Sequence, residues 1–240
     1  MVRLLQHRIT APEPCPYLPG RDSTTETMLM TSVSPAELER LLELGFRRFG
    51  PLYFRPVCPS CSECVPVRVP VESFVLSKNL RRVLSRARDV RVEIGVPRVD
   101  DARLALYRRW HALRQRDRGW KPDTLDAQSY EMQFAFPHPA AREYSYRLDG
   151  ALVGVGIMDD MPGSLSAVYC YYEPVHAALS LGTLNVLTAI EQARSLGKRY
   201  VYLGYRVEEC ASLRYKGRFL PQERLAGRPG TSDEPSWIPS

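Results

Sequence analysis

Three cysteines at strict two-residue intervals, Cys58-Pro-Ser-Cys61-Ser-Glu-Cys64, constrain this chain more than any other feature. Thiolates spaced this way converge on one centre when the backbone turns tightly, which is how zinc and iron–sulfur clusters are held. Cys15, in Cys15-Pro-Tyr-Leu-Pro-Gly20, is available as a fourth ligand, whereas Cys170 and Cys210 stand alone. The loop reads either as a metal site of Cys15, Cys58, Cys61 and Cys64, holding structural zinc or an iron–sulfur cluster, or as reduced thiols packed in a tight turn. Spacing alone leaves these readings open. The residues from Met1 to His7 have neither the apolar core nor the cleavage site of a secretory signal. No stretch approaches the ~18 apolar residues of a membrane span. The expectation is a cytoplasmic protein that makes no membrane contact, whose cysteines are ligands or thiols rather than disulfides.

Charge supplies the next constraint. The 33 basic and 27 acidic residues give a net charge of only +6. Their distribution says more. Between Lys78 and Arg91 six basic residues (Lys78, Arg81, Arg82, Arg86, Arg88, Arg91) face one acidic residue, Asp89. Arginine forks match phosphate oxygens, so the stripe is either a nucleic-acid backbone contact or a solvated charged face.

The periodicities place these motifs on an α/β (α+β) chain. Ser34 with Glu37 forms a capping box, Pro35 starts a helix and Gly45 ends it, while residues 1–33 read as loop with short extended pieces. Val65 to Phe74 alternates like a strand, and the basic stripe reads as helical at its start. A shift in composition near Pro97 suggests a division into a smaller cysteine-containing N-terminal domain (1–97) and a C-terminal domain (98–226). A helix capped at Asp100 or Asp101 then carries Leu104, Tyr107, Trp110 and Leu113 to Gly119. Two strands flank Asp149-Gly150, a hairpin signal, and a third runs from Leu165 to Tyr172. A helix from about Leu181 to Leu196 and a strand from Tyr200 to Tyr205 follow. The turn-rich residues 227–240 are expected to be a disordered tail. Hairpin, third strand, helix and fourth strand are the core order of the GNAT-like acyltransferase fold. There an acyl donor lies between two parting parallel strands, here at Ser180-Leu181-Gly182, where a helix start offers unpaired amides.

Several words of the sequence carry a more specific signal. Cys15-Pro-Tyr-Leu-Pro-Gly-Arg21, Gly45-Phe-Arg-Arg48, Tyr53-Phe-Arg-Pro56, Cys58-x2-Cys61-x2-Cys64-Val-Pro-Val-Arg68, Ser180-Leu-Gly182, Tyr202-Leu-Gly-Tyr205 and Tyr215-Lys216-Gly-Arg-Phe219 occur in order over residues 15 to about 225. In these the chain resembles the bacterial aspartate/glutamate leucyltransferases, relatives of the eukaryotic arginyl-tRNA–protein transferases. It departs from them at Tyr172-Glu-Pro-Val175, usually Tyr-Asp-Pro-Asp, and at Ser77-Lys-Asn-Leu80, usually Ser-Arg-Ser-Gln. The resemblance implies transfer of leucine from leucyl-tRNA to the N-terminal amine of proteins beginning with Asp or Glu, which marks them for degradation. Arginyl-tRNA is the alternative donor, with Asp159, Asp160, Glu208 and Glu209 as the available partners for an arginyl side chain. Eukaryotic relatives are reported to bind an iron–sulfur cluster through a different cysteine pattern; the chemistry itself needs no cofactor.

Candidate roles follow from that reaction. Tyr172 and Glu173 are candidates to orient the attacking amine or relay its proton. Arg55 and Arg68, isolated among apolar residues and prolines, are candidates for the acceptor carboxylate. Lys78, Arg81, Arg82 and Arg86 would follow the tRNA acceptor stem, with Lys216 and Arg218 near its terminal adenosine. Two other functions fit parts of the pattern. An acetyl-CoA-dependent acetyltransferase would use the same fold, but the usual Arg/Gln-x-x-Gly-x-Gly/Ala loop does not precede Leu181. A metal-containing nucleic-acid binder would use the stripe and the cysteines without catalysis.

Overall fold

The structure, a computed structural model, describes residues 2–118 and 125–240. It opens with β1 (Arg3–Ile9), a short ribbon of β2 (Glu13–Pro14) and β3 (Asp22–Ser23), and β4 (Thr25–Thr31). The segment expected to be mostly loop thus contains two full strands. All of β1 is exposed, so this edge strand shows none of the alternation that marks a buried face. The helix α1 (Pro35–Glu43) carries the expected capping box, with Ser34 accepting from the Glu37 amide and the Glu37 carboxylate accepting from the Ser34 amide. Gly45, at φ +83°, ends it. With β5 (Arg47–Phe49) and β6 (Leu52–Pro56) the first sheet is complete, in the order β1-β4-β6-β5. It packs on α1 through Met28, Met30, Leu38, Leu42, Phe46 and Tyr53.

The second sheet holds eight strands. β7 (Val65–Pro70) leads to α2 (Lys78–Arg86) and the edge strand β8 (Arg91–Gly95). The helix α3 (Asp101–Arg118) starts at Asp100, whose carboxylate accepts from the Arg103 amide; its expected end at Gly119 lies outside the described residues. A short α4 (Ala127–Tyr130) runs into a π-helical turn (Glu131–Ala135), and then come β9 (Ala141–Leu148), β10 (Ala151–Asp160), β11 (Ser164–Tyr172), α5 (Leu181–Ser195), β12 (Tyr200–Arg206), β13 (Glu223–Leu225) and β14 (Trp237–Pro239). Asp149 and Gly150, both at positive φ, form the tight turn between β9 and β10. The sheet order is β14-β13-β7-β12-β11-β10-β9-β8. α2 and α5 cover one face with Leu80, Val83, Leu184, Leu187 and Ile190. α3, α4 and the π-helical turn cover the other with Leu106, Tyr107, Trp110, Tyr130 and Phe134. This is the expected GNAT-like order, with β11 and β12 as its parallel pair.

Two expectations need correction. The division at residue 97 does not fall between sheets. β7 lies between β12 and β13, and β8 pairs with β9, so both halves of the chain build one sheet. Composition changes near Pro97, but hydrogen bonding does not respect that change. The tail is not free either. Trp237–Pro239 pairs with β13, and Trp237 Nε1 donates to the Glu43 carbonyl at 3.2 Å. Arg228 donates to the carbonyls of Cys58 and Cys61. Its many turn residues bend the tail back onto the body instead of leaving it in solvent. Among the described residues no helix is long and apolar enough to cross a membrane.

A buried ion pair locks the sheets together. The Arg48 guanidinium from β5 meets the Asp159 carboxylate of β10 with both groups sealed from solvent. Removing one partner strands the other charge, so Asp159→Ala should cost about 3–5 kcal/mol in denaturant unfolding. Beside this pair, His138 accepts from the Ala140 amide through Nδ1, while its buried Nε2 has no partner. Burial, with the Arg48 charge adding, holds the imidazole down to about 4. The unfolded chain binds that proton near pH 6.5 and the folded chain refuses it. Stability should therefore fall as pH drops from about 6.5 towards about 4. In His138→Phe this part of the pH dependence of the unfolding midpoint should be missing.

Candidate active site

The parallel pairing of β11 and β12 lasts for three residues, Ser164–Ser166 against Tyr200–Tyr202. Beyond it the strands part, and β11 from Ala167 onwards keeps only its β10 neighbour. A cavity of about 530 Å³ opens in the gap. Ala167, Val168, Tyr169, Cys170 and Tyr172 of β11 form one wall, Leu203 belongs to β12, and Ser180, Gly182, Thr183, Asn185 and Val186 come from the start of α5.

The parting leaves strand carbonyls without a neighbour, and Arg47 supplies the donors. Its Nη2 reaches the carbonyls of Ala167 at 3.3 Å and Val168 at 2.5 Å. Room for the guanidinium exists because residue 204 is glycine. A Cβ there would stand 2.6 Å from the Arg47 Nε, Cζ and Nη1 atoms, and Gly204 also holds φ +74°, a conformation that side chains disfavour. Thus Arg48 of β5 enters the ion pair with Asp159 while its neighbour Arg47 lines the cavity.

Lys216 lines the same cavity. Its Nζ donates to the Tyr205 carbonyl at 2.8 Å, and burial, with the Arg47 charge adding, holds the amine well below the usual lysine range. Tyr17 and Tyr215 complete this end, and burial pushes Tyr215 up to about 12. At the other end Trp110 packs its ring 4.1 Å from that of Tyr172, and Arg114 lies over Trp110 at 3.8 Å. Asn185 is buried between these ends. Its Oδ1 accepts from Tyr146 at 3.0 Å and leans on Gly156, where a Cβ would come within 1.9 Å. Among the described lining residues there are two arginines, one lysine and no carboxylate.

Several residues singled out from the sequence gather here: Tyr172, Ser180, Gly182 and Lys216 all line the cavity. Leu181 turns away and packs fully buried in the core under α5. Glu173 lies outside the lining and pairs with Arg109 of α3 at 2.7 Å. Lys216 lines the cavity at the end away from the basic helix, whereas Arg218 is exposed outside the lining.

Arg55 and Arg68 are not free to bind an acceptor. Arg55 donates to Glu26 at 2.6 Å and to the carbonyls of Leu44 and Pro229. Glu26 is itself part-buried, which opposes its ionisation, but contacts with Arg55 and His7 hold it below the usual carboxylate range. Arg68 donates to Glu223 at 2.8 Å and to the Tyr202 hydroxyl, with its guanidinium over the rings of Tyr200 and Trp237. An arginine isolated in sequence is thus neutralised by carboxylates 29 and 155 residues away. Sequence reasoning misses Arg47 and Gly204. Both lie within the motifs Gly45-Phe-Arg-Arg48 and Tyr202-Leu-Gly-Tyr205, but only the close approach of their strands gives them a role.

The basic stripe is a real surface. Lys78, Arg81, Arg82 and Arg86 stand exposed on α2, while Leu80 and Val83 face the core. Arg86 Nη2 reaches the Ser180 hydroxyl at 3.3 Å, so this helix abuts the cavity rim.

The cysteines lie near the opposite end. Cys58 is a packed thiol, accepting from the Thr24 amide at 3.4 Å and facing the Thr24 carbonyl at 3.7 Å. Burial pushes Cys64 up to about 12, and charge on Cys15, Cys58 or Cys61 would push it further in the same direction. Among the described residues no set of three or more His, Cys, Asp or Glu side chains is arranged to hold a metal ion.

Known proteins resemble this chain over most of its length. Residues 13–82 match the family model described as arginine-tRNA-protein transferase, N terminus, and residues 102–226 match its C terminus. Aspartate/glutamate leucyltransferase of Helicobacter hepaticus is 34% identical over 224 residues, 93% of each chain. The protein of the same name from Nitrobacter hamburgensis is 38% identical, covering 92% of this chain and 89% of that one. That from Chromobacterium violaceum is 37% identical, covering 91% and 90%. Among solved structures, FemX overlays with a TM-score of 0.46 at 12% identity, over 76% of this chain and 63% of that one. The chain belongs to the arginine-tRNA–protein transferase family.

Proposed function

We propose that this protein transfers leucine from leucyl-tRNA to the N-terminal amine of proteins beginning with Asp or Glu, as the names of its relatives state for them. The observation that carries this reading is the cavity at the strand parting, rich in cations, free of carboxylates among its described lining residues, and bordered by a basic helix. Among the described lining residues an arginyl side chain would meet no carboxylate. Asp159 is taken by Arg48, Asp160 by Lys198 and Glu208 by Arg206, and Glu209 is exposed outside the lining. An apolar leucyl group meets Phe49, Phe54, Val168 and Leu203 instead. This favours the leucyl donor over the arginyl one.

The reaction is aminolysis. The acceptor amine attacks the ester carbonyl, a C–N bond forms, and the C–O bond to the terminal ribose breaks. The proton shed by the amine ends on the ribose oxygen. With an α-amine pKa of roughly 7.7–8.0, part of the acceptor is already neutral near pH 7. Catalysis then lies mainly in positioning. Tyr172, held against Trp110 at the end of β11, orients the amine, and the leading amides of α5 with the Asn185 side chain supply donors for the developing oxyanion. The cysteine loop acts as scaffold beside the cavity.

Two measurements bear on this reading. Tyr172→Phe should slow single-turnover transfer to an Asp-initiated peptide by about ten- to a hundredfold, the loss expected for one hydrogen bond to a charged group, while leucyl-tRNA affinity stays the same. Arg81→Ala with Arg82→Ala should weaken leucyl-tRNA binding. It should also flatten the dependence of log affinity on log salt by about 0.7–0.9 for each phosphate that is no longer neutralised. A wild-type chain that moves leucine to neither Asp- nor Glu-initiated peptides overturns the proposal.

A further inference from the structure

We infer that Arg47 and Lys216, at the end of the cavity away from α2, form the subsite that receives the acidic side chain of the acceptor. This rests on the leucyl-transfer reading and adds which residues choose the acceptor.

Discrimination of Asp and Glu from their amides needs a cation whose charge is not already neutralised. Arg55 and Arg68 fail this requirement, since each holds an internal carboxylate. Among the described residues no ion pair involves Arg47 or Lys216, and both line the cavity. Their hydrogen-bond partners are carbonyls: Ala167 and Val168 for Arg47, whose guanidinium also lies 5.8 Å from the centre of the Tyr205 ring, and Tyr205 for Lys216. A carbonyl orients a cation without cancelling its charge. The two also disfavour one another, since the Arg47 charge helps hold the Lys216 amine down. A carboxylate between them would reverse that penalty, meeting a permanent charge at Arg47 and drawing Lys216 back towards its ammonium form. A carboxamide of the same shape offers no such gain.

The layout separates the two substrates. The tRNA side is marked by Arg86 on Ser180, at the start of α5. Arg47 comes from β5 and Lys216 follows β12, so the acidic side chain lies on the far side of the ester from the nucleic acid. Its own α-amine then faces the gap between the ends. The seat for Arg47 is part of the same design, because any side chain at residue 204 would displace its guanidinium.

The test measures leucine transfer from leucyl-tRNA to two peptides differing only in an N-terminal Asp or Asn, for the wild-type chain, Lys216→Met and Arg47→Gln. The Asp-over-Asn ratio of kcat/KM should fall about tenfold or more in each variant, as expected for loss of one charged hydrogen bond. An unchanged ratio in both overturns the inference, whereas a wild-type chain inactive on both peptides overturns the transfer reading instead. Arg47 also holds β11, so a second measurement uses the wild-type chain alone. The sequence contains four lysines, which makes lysine side-chain NMR tractable. Aspartic acid amide should shift the Lys216 signal, assigned by its loss in Lys216→Met, at concentrations where asparagine amide leaves it in place. A Lys216 signal that does not respond to aspartic acid amide overturns the inference whatever the transfer assay gives.

Discussion

The structure depends on the place where β11 and β12 stop being neighbours. Parallel strands that part in mid-sheet leave backbone groups unpaired, and buried unpaired groups are costly. This chain meets the cost with a side chain from a different sheet. Arg47 reaches over β12, at the one position without a side chain, and bonds the β11 carbonyls. The same contact keeps the gap open and places a positive charge inside it. Cavity, charge and joint between sheets therefore have one origin.

The neighbouring residue extends the argument. Arg48 is fixed by Asp159 on β10, and Tyr205 of β12 donates to the carbonyls of Gly45, just after α1, and Phe54 on the first sheet. Glu39 of α1 accepts from the Gly163 amide and the Ser164 hydroxyl at the start of β11. The N-terminal layer is thus the part that holds the parting strands in position, and its matched family model is continuous with the catalytic sheet in space, though not in sequence.

Local chemistry in the sequence makes much of this legible. The capping box at Ser34, the Asp149-Gly150 turn, the apolar face of α5 and the basic face of α2 all depend on residues within a few positions of one another, and all are present. What is not legible depends on partners far along the chain. Arg68 reads as a lone cation because Glu223 and Trp237 lie more than 150 residues away. The tail reads as free because a three-residue strand on a sheet edge has too short a pattern to register. Arg47 reads as one more arginine in a basic word, since nothing nearby indicates that Gly204 would stand against it.

The placement of β12 has a consequence for how such a chain comes to be folded. Its two partners are β7, built about 130 residues earlier, and β11. During synthesis both wait with open edges until residues 200–206 emerge and close the centre of the sheet. Contacts of such long sequence separation are slow to form, and open edges invite pairing with other chains. The enzyme's central strand therefore follows both of the strands it must join, and no finished cavity exists to offer a charged tRNA before residues 200–206 are in place.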